Sequence, residues 1–250
     1  MATDDPQLDP PKPFLQHLEE LRRALLGSLA ALIVGMGIAI PLAPRIFRWL
    51  QIPLQRATGD AEPFLRTLDV SGGFTLAMQV VFWSGLLLSL PAILFFIGAF
   101  VAPGLTARER RLAIHALFAA TVLFIMGVIL GYTLSLPVAL TVMLKINEWM
   151  GVRAEWIVSS YVVFALQLLA AFGLVFELPV LLVVLGRLGL VTAAKLRTHR
   201  RLVIVLILIV AMILTPPDIF TQLIMAIPLI ALYEICILII GLSEKRKTTE

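Results

Sequence analysis

A small set of carboxylates in this sequence stands where chemistry can be asked of them. Glu177 lies well inside Tyr161–Leu185, a run of nearly unbroken apolar sequence. At about 25 residues and 1.5 Å per residue, that run crosses a hydrocarbon core of roughly 30 Å. An acid near the middle of a membrane helix costs on the order of 3 kcal/mol even on a lenient insertion scale, so it faces a polar cavity or a partner rather than lipid. Two readings are open. Glu177 either serves a function in such a cavity, or is a neutral carboxyl that pins the packing through a hydrogen bond to a neighbouring helix. Glu234, the second acid in an apolar run, falls toward a helix end within reach of the headgroups.

Other acids sit in polar stretches. Glu19 and Glu20 precede Arg22 and Arg23 by three or four residues, a spacing that forms exposed ion pairs worth a few tenths of a kcal/mol. Thr106-Ala107-Arg108-Glu109 has the form of a capping box ahead of an apolar run, in which backbone amides satisfy the carboxylate. On residue types alone both places are structural. Their position at two helix entrances on one membrane face adds a second role, because acids held there can jointly grip a basic ligand.

Enzyme chemistry finds no constellation. There is no HExxH and no phosphate loop, and His17, His115 and His199 are too scattered for a metal cluster. All three histidines fall near helix ends and read as solvated or interfacial. The one cysteine, Cys236, lies in an apolar run and reads as a packing residue. Asp218 opens the last helix and reads as its cap, worth about 1 kcal/mol.

The elements that hold these groups are membrane helices. Hydrophobic residues make up 60% of the chain and charged ones 14%, against roughly a quarter charged in a soluble domain. The chain is therefore polytopic. Its net charge of +4 implies no nucleic acid, because the basic residues cluster between apolar spans as orientation signals do. Residues 1–13, with three Asp and four Pro, read as a disordered leader rather than a cleavable signal.

Phe14, Leu15, Leu18, Leu21 and Leu25 then mark one helical stripe. A first span is expected over about 24–42, ending at Pro41 and Pro44. An extramembrane loop from Arg45 to Gly73 begins with RIFRWLQIPL, an interfacial helix broken by Pro53. Spans follow over about 74–100, kinked at Pro91, and about 112–136, closed by Pro137. A loop over about 141–160 carries Trp149 and Trp156 at interfacial positions. After the Glu177 helix, with Pro179 just behind the acid, comes a basic loop, RLGLVTAAKLRTHRR. The closing hairpin is short on its first side: Leu202–Leu214 supplies about 13 apolar residues, or roughly 20 Å. Thr215-Pro216-Pro217-Asp218 turns, residues 219–240 return, and residues 241–250 form a polar cytoplasmic tail.

The expected fold is an all-α membrane protein of six transmembrane helices over residues 14–240, the final two short. Six spans put both termini on one side. Basic clusters around Arg22, Arg108, Arg187–Arg201 and Lys245 make that side cytoplasmic, although Arg45, Arg48, Arg56 and Arg66 stand against the asymmetry.

Four motifs in order around these spans carry a resemblance over essentially the full length. They are HLEELR at His17–Arg22; AFVAPGL at Ala99–Leu105 with ERR at Glu109–Arg111; FELPV at Phe176–Val180; and LTPPD at Leu214–Asp218 with Gln222 behind it. Together they resemble the TatC family, the multi-span receptor subunit of the twin-arginine protein translocase. The resemblance implies a receptor without catalysis or cofactor in a bacterial or archaeal cytoplasmic membrane. Glu20 and Glu109 then form the site for the paired arginines of a folded cargo's signal peptide, with Glu19 able to serve in place of Glu20 and with Arg22 and Phe100 at neighbouring motif positions. Such a site favours Arg over Lys, since a planar guanidinium offers a carboxylate two parallel bonds. It further implies that Glu177 faces a cup-like concave surface within the bundle. Met212, Thr215 and Gln222 mark a docking edge for TatA- and TatB-like single-span subunits, with self-association and export driven by the proton gradient. The alternative is a proton- or cation-coupled secondary transporter using Glu177 and Glu234 among spans interrupted at Pro91, Pro179 and Pro228, though these prolines show no inverted pairing.

Overall fold

The computed structural model describes residues 14–58, 65–101, 107–187, 189–214 and 219–249. Phe14–Thr58 is a single helix, α1, of 45 residues, about 68 Å long and more than twice the thickness of a hydrocarbon core. The expected end at Pro41 and Pro44 and the break at Pro53 do not occur. Each proline removes one backbone donor and leaves the rest of the ladder to continue, while Leu50 and Leu54 anchor the far part of α1 in the core. The carbonyl deprived of its donor by Pro53 is that of Trp49, four residues back. The Tyr132 hydroxyl donates to it at 2.8 Å, and the Tyr161 hydroxyl donates to the next carbonyl, that of Leu50. Tyr132 thus supplies what the proline withholds, and Tyr161 holds the neighbouring carbonyl.

That substitution of donors is testable by a double-mutant cycle. Tyr132→Phe is expected to lower stability by about 1 kcal/mol, since the Trp49 carbonyl is left unpaired. In a Pro53→Ala background, where a backbone N–H returns, the same change is expected to cost much less. Thermal unfolding in detergent reads the difference, and equal costs in both backgrounds would contradict this account.

Helix α2 is Gly72–Val101. Gly27 faces the Phe96 ring and Gly35 faces Gly85, so α1 and α2 run antiparallel. At their crossing a Cβ on Gly35 would lie 2.5 Å from the Gly85 carbonyl oxygen, and one on Gly85 would lie 2.7 Å from the Met36 Cα. The helices approach this closely because neither residue has a side chain.

Helix α3, Ala107–Leu130, leads through a π-helical turn, Gly131–Ser135, directly into α4, Leu136–Trp149. The loop expected from about residue 141 is therefore helical as far as Trp149. In the widened turn the Leu136 N–H bonds to the Gly131 carbonyl, five residues back, and this carries the rod past Pro137. Strands β1, Leu65–Arg66, and β2, Trp156–Ile157, pair in parallel and bring Arg66 within 3.2 Å of Glu155.

Helices α5, Val158–Val175, and α6, Leu178–Arg187, follow. Helix α5 runs through the core: Val162, Ala165 and Phe172 are wholly buried. The basic loop contains a short helix, α7, Ala193–Thr198, where the Thr192 hydroxyl accepts from the Lys195 N–H at 3.2 Å. Helix α8, Arg200–Leu214, has 15 residues, and α9, Ile219–Thr249, has 31. The last helix is thus not short, and the stretch expected as a polar tail forms its final turns. There the Glu244 carboxylate accepts from the Ala193 N–H at 3.0 Å, so α9 caps α7.

Among the described residues five stretches are long and apolar enough to cross a membrane: Leu18–Thr58, Gly72–Phe100, Ile114–Trp149, Val158–Arg187 and Gln222–Leu242. The expected sixth, α8, is about 22 Å long at 1.5 Å per residue and falls short of that length.

Candidate functional site

The first turns of α1 carry acid and base on a regular helix, and the i,i+4 spacing forms its ion pair. Glu19 Oε1 accepts from Arg23 Nη2 at 2.9 Å, with side chains 61% and 78% exposed. A pair so open to solvent contributes little and is readily exchanged. Glu20, about 100° further round the helix, is half-buried, and Arg22 is exposed. Helix α2 runs back toward this end. Its Phe96 packs against Gly27, and one turn further on lies Phe100, half-buried and next to the last residue of the helix.

Glu109 is the third residue of α3. Its side chain lies outside the described residues, as do Thr106 and the expected capping box. At the level of the backbone, the start of α1, the end of α2 and the start of α3 lie at one end of the bundle. Glu19, Glu20, Arg22 and Phe100 belong to that end.

Glu177 lies in the break between α5 and α6. Pro179 has no N–H to offer the Val175 carbonyl, so the ladder fails there. The chain bridges the gap with Glu177 N–H bonding to the Leu174 carbonyl and Leu181 N–H to the Glu177 carbonyl, both at 3.1 Å. The break turns a single expected helix into two. It holds the Glu177 side chain half-buried, with Oε1 enclosed and without a hydrogen-bond partner. A carboxyl pinned at that oxygen by a neighbouring helix is thus not what the structure contains. An enclosed acceptor without a donor is costly and calls for a polar group to meet it.

Pro179 also lies between two apolar cavities. One, of about 320 Å³, reaches from Cys236 to His115 and Arg187; the other, of about 190 Å³, is bordered by Leu206, Val210 and Tyr233. The Cys236 thiol points at the Pro179 carbonyl, 3.4 Å away, in keeping with a packing role. Glu234 is not left to act with Glu177 as a carrier. Its Oε2 accepts from Arg200 Nη2 at 2.8 Å, joining α9 to the first residue of α8.

At the closing hairpin, Gln222 Nε2 donates to the Leu208 carbonyl at 3.0 Å. Its amide nitrogen therefore binds α9 to α8 rather than facing outward. Met212 is 53% exposed in the last turn of α8, while Thr215 and Asp218 lie outside the described residues. Sequence reading passed over Tyr132, Tyr161, Arg200 and Glu244. Only the first had a signal, because Pro53 requires that some donor reach the Trp49 carbonyl.

The family model described as "Sec-independent protein translocase protein (TatC)" matches residues 16–228. The TatC protein of Aquifex aeolicus is 33% identical over 236 residues, covering 94% of this chain and 97% of that protein. The TatC protein of Escherichia coli K12 is 34% identical over 235 residues, covering 94% and 88%. A crystal structure described as "Twin Arginine Translocase Receptor- TatC in DDM" superposes with a TM-score of 0.76 at 34% identity, covering 89% of this chain and 98% of that one.

Proposed function

Since this chain belongs to the TatC family of Sec-independent protein translocase proteins, we propose that it is the receptor that reads the twin-arginine signal of folded cargo. The observation that carries this is the antiparallel return of α2 along α1, with Phe96 against Gly27, which brings the end of α2 back toward the first turns of α1 six residues before α3 begins. In this reading Glu20 and Glu109 each take one guanidinium of the pair. Glu19 is a reserve acid that Arg23 occupies in the resting state, and Arg22 and Phe100 border the site. The fork of each guanidinium matches the two oxygens of a carboxylate, which an ammonium does not.

The basic clusters set this end in the cytoplasm, with both termini. Helix α8 then counts as a sixth, shortened span, accommodated by a thinner bilayer or by shelter from its neighbours. The hairpin edge with Met212, Thr215 and Gln222 docks single-span partner subunits, and the Gln222 carbonyl oxygen supplies the polar contact that its nitrogen cannot. Glu177 lines the concave interior beneath the receptor site, and the proton gradient drives export.

Site-specific photo-crosslinking in native membranes tests the assignment. Probes at positions 20 and 109 are expected to capture a twin-arginine signal peptide and to lose it when the peptide carries Lys-Lys. A probe at 222 should capture a single-span subunit instead. Equal capture of both peptides at 20 and 109 would sink the receptor site.

A further inference from the structure

A cavity lies away from the receptor end, on the far part of α1 near the β1–β2 pair. It measures about 570 Å³ and lies among α1, α2, α3, the π-helical turn and α5, within the roughly 300–1,000 Å³ typical of small-molecule sites. It opens sideways: Trp49, Leu88 and Ile129 border it and are 62%, 50% and 56% exposed. Its polar members are already satisfied. The Ser84 hydroxyl donates to the Val80 carbonyl, and the Tyr132 hydroxyl donates to Trp49. Such a groove asks for an apolar occupant without hydrogen-bonding groups in the part that enters.

What stands beside it is cationic. On α1 the groove residues Trp49 and Ile52 lie one turn after Arg45 and Arg48, and Arg56 lies one turn after Ile52. Residues 45, 49, 52 and 56 therefore form one stripe, with an arginine at each end and the groove between. All three arginines are exposed. Arg48 Nε donates to the Pro44 carbonyl at 3.3 Å, and the Arg56 charge reaches the Tyr132 hydroxyl that borders the groove. Among the described residues none of the three is held by an acid, and Glu155, at the same end, is taken by Arg66. These are the same arginines that weaken the charge asymmetry of the sequence, so orientation does not explain them.

We propose that this groove binds an anionic phospholipid, an acyl chain lying against Trp49, Leu88 and Ile129 and the anionic headgroup held in the field of the flanking Arg45, Arg48 and Arg56. An indole at the mouth suits the boundary between chain and headgroup. Guanidinium groups near the membrane surface favour anionic lipid by about fivefold each.

The test uses the full chain purified in detergent and titrated with dioleoylphosphatidylglycerol or with dioleoylphosphatidylcholine, retained lipid being read by native mass spectrometry. The phosphatidylglycerol adduct is expected to persist and the phosphatidylcholine adduct to be lost. The double variant Arg45→Gln/Arg56→Gln should bind phosphatidylglycerol about thirtyfold more weakly. Because both side chains are exposed, its fold should be unaffected. Leu88→Trp, which fills the groove and keeps every charge, should also lose the adduct. Equal retention of the two lipids overturns the proposal, as does equal retention by wild type and the arginine variant. A dimer that excludes lipid, showing the groove covered by a second copy, overturns it too.

Discussion

Glu20→Gln combined with Glu109→Gln is expected to weaken binding of a twin-arginine signal peptide by about a hundredfold. The estimate takes about 1.5 kcal/mol for each charge-assisted contact, the lower end of the usual range because water reaches this face, and about 1.4 kcal/mol per tenfold. Glutamine keeps the shape and one acceptor but loses the charge and the second parallel bond. The single change Glu19→Gln is expected to matter much less, since in this reading Glu20 takes the guanidinium and the exposed Glu19–Arg23 pair contributes little. Binding should also weaken with added salt, as surface charge pairs do. Fluorescence-detected binding of a labelled signal peptide to the purified chain reads both variants, with the single change Glu20→Gln beside them. If Glu19→Gln proves the costly change and Glu20→Gln the silent one, the two neighbouring acids exchange roles. If the double variant binds like wild type, neither acid reads the signal.

Gly85→Leu is expected to have the largest effect on stability. A side chain there meets the backbone of α1, at the Met36 Cα, 2.7 Å from the new Cβ. Backbone cannot turn aside as a rotamer can, so α1 and α2 must separate along their contact. Overpacking of this kind costs about 1–3 kcal/mol and at times more. Gly37 provides the comparison on the same helix pair, because a Cβ there meets nothing within 4 Å. Gly37→Leu should leave the melting temperature in detergent close to wild type, while Gly85→Leu should lower it markedly or prevent accumulation in the membrane. Matching melting temperatures for the two variants would show that the close crossing is not what holds these helices.

The apolar runs, the exposed pair Glu19–Arg23 and the shortness of α8 were all legible, because each depends on neighbours within a turn or a single run. The continuity of α1 through three prolines was not. Each proline reads as punctuation in a local window, whereas the donor that offsets Pro53 comes from Tyr132, 83 residues from the carbonyl it reaches, and the next carbonyl is held by Tyr161 from 111 residues away. The same holds for Arg200 and Glu234, 34 residues apart. The π-helical turn and helix α7 escaped for another reason. A π-helical turn adds a residue without changing the apolar character of its run, and α7 is only six residues long, its local Thr192 cap supplemented by Glu244, 51 residues away. At the candidate receptor site, residue types marked Glu20 and Glu109, but on those types alone a structural role was the better reading. The antiparallel return of α2 bears on that choice, and a local window cannot reveal it.

The final turns of α9 work as a strut. Glu244 grips the first amide of the segment that leads into α8, and Arg200 at the head of α8 is bolted back to Glu234 two to three turns earlier on α9. Two fasteners on one rod make the connector and the hairpin a closed frame. A load hung on the end of that rod is felt at the hairpin's root, through the carboxylate of Glu244 before it reaches any apolar contact.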